Sequence, residues 1–129
     1  DKKQLDIALE EFFHEVQVNS GIDIQFRKNE PTFTLTSEAE LSIFRGVQEA
    51  ITNAMRHGQA TRITVLLMYN PSQLVVTIKD NGTGAVDLAP KGGLKSLQER
   101  LRAEGGSVTL EASNPGVTVQ MILPNTEKQ

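Results

Sequence analysis

The sequence predicts an α+β fold, a layered two-layer sandwich in which about three helices cover one face of a mixed, mostly antiparallel sheet. Three observations carry that expectation. Apolar residues recur at helical spacing in three separate stretches. Val-, Ile-, Leu- and Thr-rich segments come in pairs around turn signals. The resulting order is helix, two strands, helix, two strands, loop, helix, two strands.

The first helix rests on Leu5, Ile7, Ala8, Leu9, Phe12, Phe13 and Val16, and Asn19-Ser20-Gly21 ends it. Ile22, Ile24 and Phe26 alternate with polar residues, as do Phe33 and Leu35 after the Asn29-Glu30-Pro31 turn, so two short paired strands are expected. Ser37 reads as an N-cap with Glu40 in capping-box position, opening a helix from Leu41 to His57 that Gly58 stops. Thr61 to Tyr69 and Leu74 to Lys79 flank Asn70-Pro71-Ser72 as a hairpin. Residues 81–93 carry four glycines and one proline without periodicity and read as a functional loop. A third helix starts near Gly93, runs through Leu94, Leu97 and Leu101, and ends at Gly105-Gly106. Val108 to Glu111 and Val117 to Leu123 close the chain as a hairpin around Asn114-Pro115-Gly116.

At 129 residues the chain is expected to form one domain over 1–129, and no apolar run reaches the roughly 18 residues a membrane-spanning helix needs. A net charge of -3 argues against a nucleic-acid or anionic-membrane surface, so a polyanion would have to be held locally. The absence of Cys removes disulfides, thiolate nucleophiles and Cys-ligated metals, and fits a reducing cytoplasm. The chain opens at Asp1 with neither an initiator Met nor a signal pattern, and reads as a piece of something longer.

Glu49, Asn53 and His57 follow at helical spacing and emerge from one face of the second helix. The Asn53 amide oxygen suits a nucleotide-bound magnesium ion, which takes hard oxygen ligands with waters and phosphates completing its octahedron. Glu49 could position a water or accept a proton; spacing alone also fits the solvated face of an ordinary helix. Asp80-Asn81-Gly82-Thr83-Gly84 closes a strand, where such a run often means only a tight turn. Here it opens into a glycine-rich loop and then a helix whose first amides could bind phosphate. Gly92 and Gly93 allow close backbone approach, and Lys91 and Lys95 offer point charges to a triphosphate. No Walker loop, His-x-x-x-His pair or Gly-x-Ser-x-Gly elbow occurs.

Together these pieces resemble the ATPase superfamily shared by DNA gyrase, a heat-shock chaperone, MutL and histidine kinases, which implies a Bergerat-type ATP-binding fold with a short lid at residues 81–93. Residues 48–58, Gln-Glu-Ala-Ile-Thr-Asn-Ala-Met-Arg-His-Gly, look like its N box, Asp80 to Gly84 like its first glycine box, and Lys91-Gly92-Gly93-Leu94 like its second. Phe44-Arg45-Gly46-Val47-Gln48-Glu49-Ala50 and the helix Gly93 to Arg100 resemble the sensor kinases that signal to response regulators with LuxR-type DNA-binding heads.

The resemblance implies that Asp80 bonds the adenine amino group, Asn53 holds Mg2+, Glu49 assists phosphoryl transfer, and Arg56 and His57 lie near phosphates. It implies that Gly82, Gly84, Gly92, Gly93, Leu94, Lys91 and Lys95 surround ATP, with Thr118 under the adenine from a late strand. Lys91 departs from the pattern, standing where a glycine is usual. Neither His14 nor His57 has the setting of a phosphoacceptor. The acceptor is therefore expected on the protein's own dimerisation domain, preceding a first helix at 1–20, in a membrane-anchored homodimer with this domain on the cytoplasmic side. The fragment alone would be a monomer that binds ATP without autophosphorylating. The rivals are an anti-sigma factor with serine-kinase activity on a related fold, and a degenerate module that only mediates contacts.

Overall fold

The computed structural model describes residues 4–85 and 87–127; the expected first helix from residue 1, the 81–93 loop and the 1–129 span each include residues outside that range. Three helices, α1 (Gln4–Ser20), α2 (Ser37–Arg56) and α3 (Gly92–Arg102), pack on five strands. The strands are β1 (Asp23–Lys28), β2 (Arg62–Asn70), β3 (Gln73–Asp80), β4 (Ser107–Ala112) and β5 (Val117–Pro124), in the sheet order β1-β2-β3-β5-β4. Among the described residues only the β1–β2 pair is parallel. A parallel neighbour needs a crossover, and α2 supplies it.

Alternation decides which sheet face is covered. Ile63, Val65 and Leu67 of β2, Leu74, Val76 and Ile78 of β3, and Val119, Met121 and Leu123 of β5 are all buried. They meet Leu9 and Phe13 of α1, Ile43, Val47 and Ile51 of α2, and Leu94, Leu97 and Leu101 of α3 in one core. Burying each such Leu, Ile or Val contributes about 1.5–3 kcal/mol relative to exposure. Gly46 sets the α2–α3 spacing: a methyl group there would overlap Leu97 and fall 2.8 Å from the Met121 methyl.

Two expectations fail. Residues 32–36 form no strand, and β1 takes β2 as its partner instead, with Asp23 opposite Arg62. Side chains tie this segment down: Phe33 is buried with its ring edge-on to Tyr69, and the Thr32 hydroxyl donates to the Asn70 carbonyl at 2.7 Å. Helix α2 is capped by Thr36 rather than Ser37, its hydroxyl accepting from the Ala39 amide at 3.1 Å. The Asn70-Pro71-Ser72 and closing hairpins form as expected.

Candidate functional site

The end of β3 is where backbone, turn and helix converge. Asp80 is the last strand residue, 9% exposed, on the helix-covered face beyond Ile78. Its Oδ1 accepts from the Gly82 amide at 2.8 Å and from the Val117 amide at 3.4 Å. Those two bonds fix the carboxylate's direction while Oδ2 makes none among the described residues. Gly116 presses from the other side: at φ 92, its position has no room for a methyl group beside the Asp80 carbonyl.

The turn after Asp80 is sewn to the C-terminal end of α2. Asn81 Oδ1 accepts from the Thr61 and Arg62 amides, both at 2.9 Å, and its Nδ2 donates to the Thr61 hydroxyl at 3.0 Å. The Thr83 amide donates to the Gly58 carbonyl at 2.7 Å, and a methyl group on Gly82 would strike that same carbonyl. Gly84 takes φ 90, which turns the chain out toward α3. Asp80, Gly82 and Gly84 therefore stand beside the last turn of α2, which carries Asn53, half-buried, and the exposed Arg56 and His57. The Asn53 amide makes no hydrogen bond among the described residues, leaving a hard oxygen donor available.

Glu49 joins the helix to the start of α3. Its carboxylate lies against Gly93, where an added methyl group would sit 2.9 Å from Oε1. The cap residue Lys91 makes no side-chain bond to the first turn of α3, so the first amides of that helix have no side-chain cap. Lys91 is engaged elsewhere, its Nζ 2.9 Å from Asp87 Oδ2. The Ala89 amide, and then Lys91, hold the Asp87 carboxyl below its ordinary range. Lys95 is exposed one turn further along α3, and Leu94 is buried in the core beneath.

Thr118 is not brought to Asp80. Its register partner is the exposed Lys79, and its hydroxyl meets that of Ser113, on the sheet face opposite Asp80. Val117 takes the position facing Asp80, contributing its amide and a side chain packed against the core. The period-two run Val119, Met121, Leu123 marks 117 as the inward position, a signal the sequence reading passed over. It also passed over Asn81, whose strut only appears once residues 61 and 62 are placed beside it.

A cavity of about 520 Å3 touches Glu49, Thr52 and Gly93 and extends over the outer side of α2, without reaching Asp80. No cluster of three or more His, Asp or Glu side chains suited to a metal occurs among the described residues. An oxygen site shared with phosphates and water is the kind this chain can build.

Residues 38–127 match the family of histidine kinase-, DNA gyrase B- and HSP90-like ATPases. The chain belongs to that family. It is 30% identical over 132 residues to the oxygen sensor histidine kinase NreB of Staphylococcus carnosus (strain TM300), and 32% identical over 123 residues to the sensor histidine kinase YxjM of Bacillus subtilis (strain 168). The matches cover 98% and 91% of this chain but only 38% and 29% of those relatives. The fold is that of the ATP-binding domain of PrrB from Mycobacterium tuberculosis, with TM-score 0.73 at 20% identity over 98% of this chain and 94% of that one. The catalytic domain of the histidine kinase ThkA gives TM-score 0.76 at 18% identity, again over 98% and 94%. The mixed sheet with three helices is thus the architecture of the histidine-kinase ATPase domain, and no helix among the described residues is long and apolar enough to cross a membrane.

Proposed function

We propose that this domain binds Mg·ATP and donates the γ-phosphoryl to a histidine on a separate dimerisation domain of a two-component sensor kinase. The observation that carries the reading is the Asp80 carboxylate, aimed by the Gly82 and Val117 amides at the end of β3 beside the last turn of α2. A carboxylate so held, with one oxygen unbonded, can accept from an exocyclic amino group such as that of adenine. Gly82 and Gly116 keep side chains out of the space around it.

From that end the nucleotide would run along α2 toward α3. Arg56 and His57 provide exposed donors, Lys95 a point charge, and Gly92 and Gly93 backbone amides of an uncapped helix start. Lys91 would have to leave Asp87 to reach a phosphate. The hard oxygens of Asn53 and Glu49, one helical turn apart, fit magnesium; Asn53 would hold it, and the bound ion would offset phosphate charge. Glu49, against Gly93, would orient the incoming imidazole or take its proton. Phosphoryl transfer needs little covalent help, so the chain's contribution is alignment and water exclusion.

The sensor-kinase relatives support this reading over an anti-sigma serine kinase, and the unbonded Asn53 and aimed Asp80 weigh against a contact-only module. In the same reading the whole protein is a membrane-anchored homodimer with this domain in the cytoplasm, signalling to a response regulator with a LuxR-type head. Calorimetry with a non-hydrolysable ATP analogue, with and without magnesium, tests it. The expected result is magnesium-enhanced binding that Asn53→Ala weakens about tenfold, on the scale of one charge-assisted contact. Subsequent mixing with a purified histidine-bearing domain and ATP should transfer phosphate. Affinity indifferent to magnesium and to Asn53 would overturn the proposal.

A further inference from the structure

Just before α3 the chain runs through Asp87-Leu88-Ala89-Pro90-Lys91 without helical structure. Asp87 is engaged at both carboxylate oxygens: Oδ1 accepts from the Ala89 amide at 2.9 Å, and Oδ2 lies 2.9 Å from Lys91 Nζ. The first bond turns the chain at Asp87, while Pro90 fixes its own φ and restricts Ala89 before it. A short, stiff piece of backbone thus brings the carboxylate to the lysine, and little chain entropy is left to oppose the pairing. Held below its ordinary range by the Ala89 amide and then by Lys91, the Asp87 carboxyl stays charged at neutral pH.

Lys91 directly precedes Gly92 and Gly93, which open α3 without a side-chain cap. An ammonium on a flexible four-carbon stem at that position can swing toward anything bound at those amides, once it is unpaired. The pair is open to solvent, with side-chain exposures of 69% for Lys91 and 54% for Asp87. An ion pair so exposed is weak enough to be exchanged. A phosphate chain offers Lys91 more charge than one carboxylate and wins the exchange, but only after the attraction to Asp87 is given up.

Resting on the nucleotide reading above, we propose that Asp87 competes with the nucleotide phosphates for Lys91, a positioning residue that touches no ligand and sets how tightly Mg·ATP is held. Binding then trades one ion pair for another instead of adding one. Affinity is kept below what Lys91 would give with no carboxylate beside it. The salt dependence of binding is flattened as well, since screening weakens both sides of the trade. Asp87 acts through Lys91 alone, so its effect disappears when the ammonium is removed.

The test is a double-mutant cycle on this chain, read by calorimetry with a non-hydrolysable ATP analogue in magnesium. Asp87→Asn keeps an oxygen for the Ala89 amide and removes only the charge, so the turn is preserved. The expected result is analogue binding about threefold tighter in Asp87→Asn and about threefold weaker in Lys91→Ala, on the scale of an exposed ion pair. The double variant should match Lys91→Ala to within about 1.5-fold, because no lysine remains to be released. Across a salt series, the affinity of Asp87→Asn should fall more steeply than that of the parent. Unchanged affinity in Asp87→Asn would overturn the proposal. Equal tightening with and without Lys91 would also overturn it, by reducing Asp87 to one negative charge among others. Either result leaves nucleotide binding intact, whereas failure of the parent to bind the analogue at all would sink the nucleotide reading and the exchange with it.

Discussion

The two ends of the β2–β3 pair are made of similar residues and do opposite things. At one end Asn70 turns its Oδ1 inward to accept from the Ser72 amide, the Ser72 hydroxyl and the Gln73 amide, and the chain returns at once as a hairpin. Asn29 bonds the backbone of Tyr69 on both sides, and Phe33 covers the ring. Polar groups there are consumed locally. At the other end Asn81 satisfies the Thr61 and Arg62 amides across the strand pair, and the chain departs toward α3. Because Asn81 does the structural bonding, an oxygen of Asp80 and the amide of Asn53 are left for something else. Availability of a polar group depends on which neighbour satisfies the backbone in its place.

The largest effect is expected where the open end has no slack. Gly116→Ala combines a left-handed φ with a methyl group driven into the Asp80 carbonyl, and should destabilise the domain by about 3 kcal/mol in urea unfolding. A fully stable variant would mean that the Gly116 turn does not fix Asp80.

Asn81→Ala comes next. It hands two exposed amides that now share one oxygen back to water, and should cost about 0.5–1.5 kcal/mol while also weakening ATP-analogue binding, since the turn after Asp80 loses its strut. Loss of stability with intact affinity would mean that the Asn81 strut does not serve the nucleotide end.

The closed end makes the smallest prediction, and one in pH. Burial, then the charges of Asp6 and Glu40, push the Tyr69 hydroxyl from 10.0 up to about 12. The folded state therefore holds its proton longer than the unfolded chain. The resulting stability is fully present below about pH 10 and is lost as pH rises from about 10 to about 12. Urea midpoints of the parent and of Tyr69→Phe should differ in slope across that window. Parallel curves would contradict the burial account, and analogue affinity should not follow Tyr69 at all.

Most of the fold was legible because its elements carry strong periodic signals, as in α2, where the apolar series Leu41, Phe44, Val47, Ile51, Ala54 and Met55 marks the helix and Val47, Ile51 and Ala54 are buried, while Leu41 is exposed and Ile43 takes the inward place. The strand expected at 32–36, which does not form, shows the limit. Alternating Thr, Phe and Leu look extended, but the partner β1 needs lies nearly forty residues on in β2, which local pattern cannot reveal. The N-cap shifted by one residue because Thr36 and Ser37 are chemically equivalent caps and geometry alone chooses. In the site, residue type at fixed spacing singled out Asp80, Asn53, Glu49 and the glycines, and the fold sets Asp80 and Gly82 by the end of α2 and Glu49 against Gly93. Thr118 was placed by type, whereas register sets the face, and one residue's slip moves a side chain to the other side of the sheet. The pairing of Lys91 with Asp87, four residues apart, lies in a loop with no helical periodicity to announce it, and the cavity over α2 is a tertiary fact with no sequence signature.

The central claim is that the aimed carboxylate at the end of β3 reads a purine. Calorimetric titration of the parent and of Asp80→Asn with a non-hydrolysable ATP analogue in magnesium tests it most directly. The account predicts affinity at least about tenfold weaker for Asp80→Asn with the fold unchanged; equal affinities would contradict it.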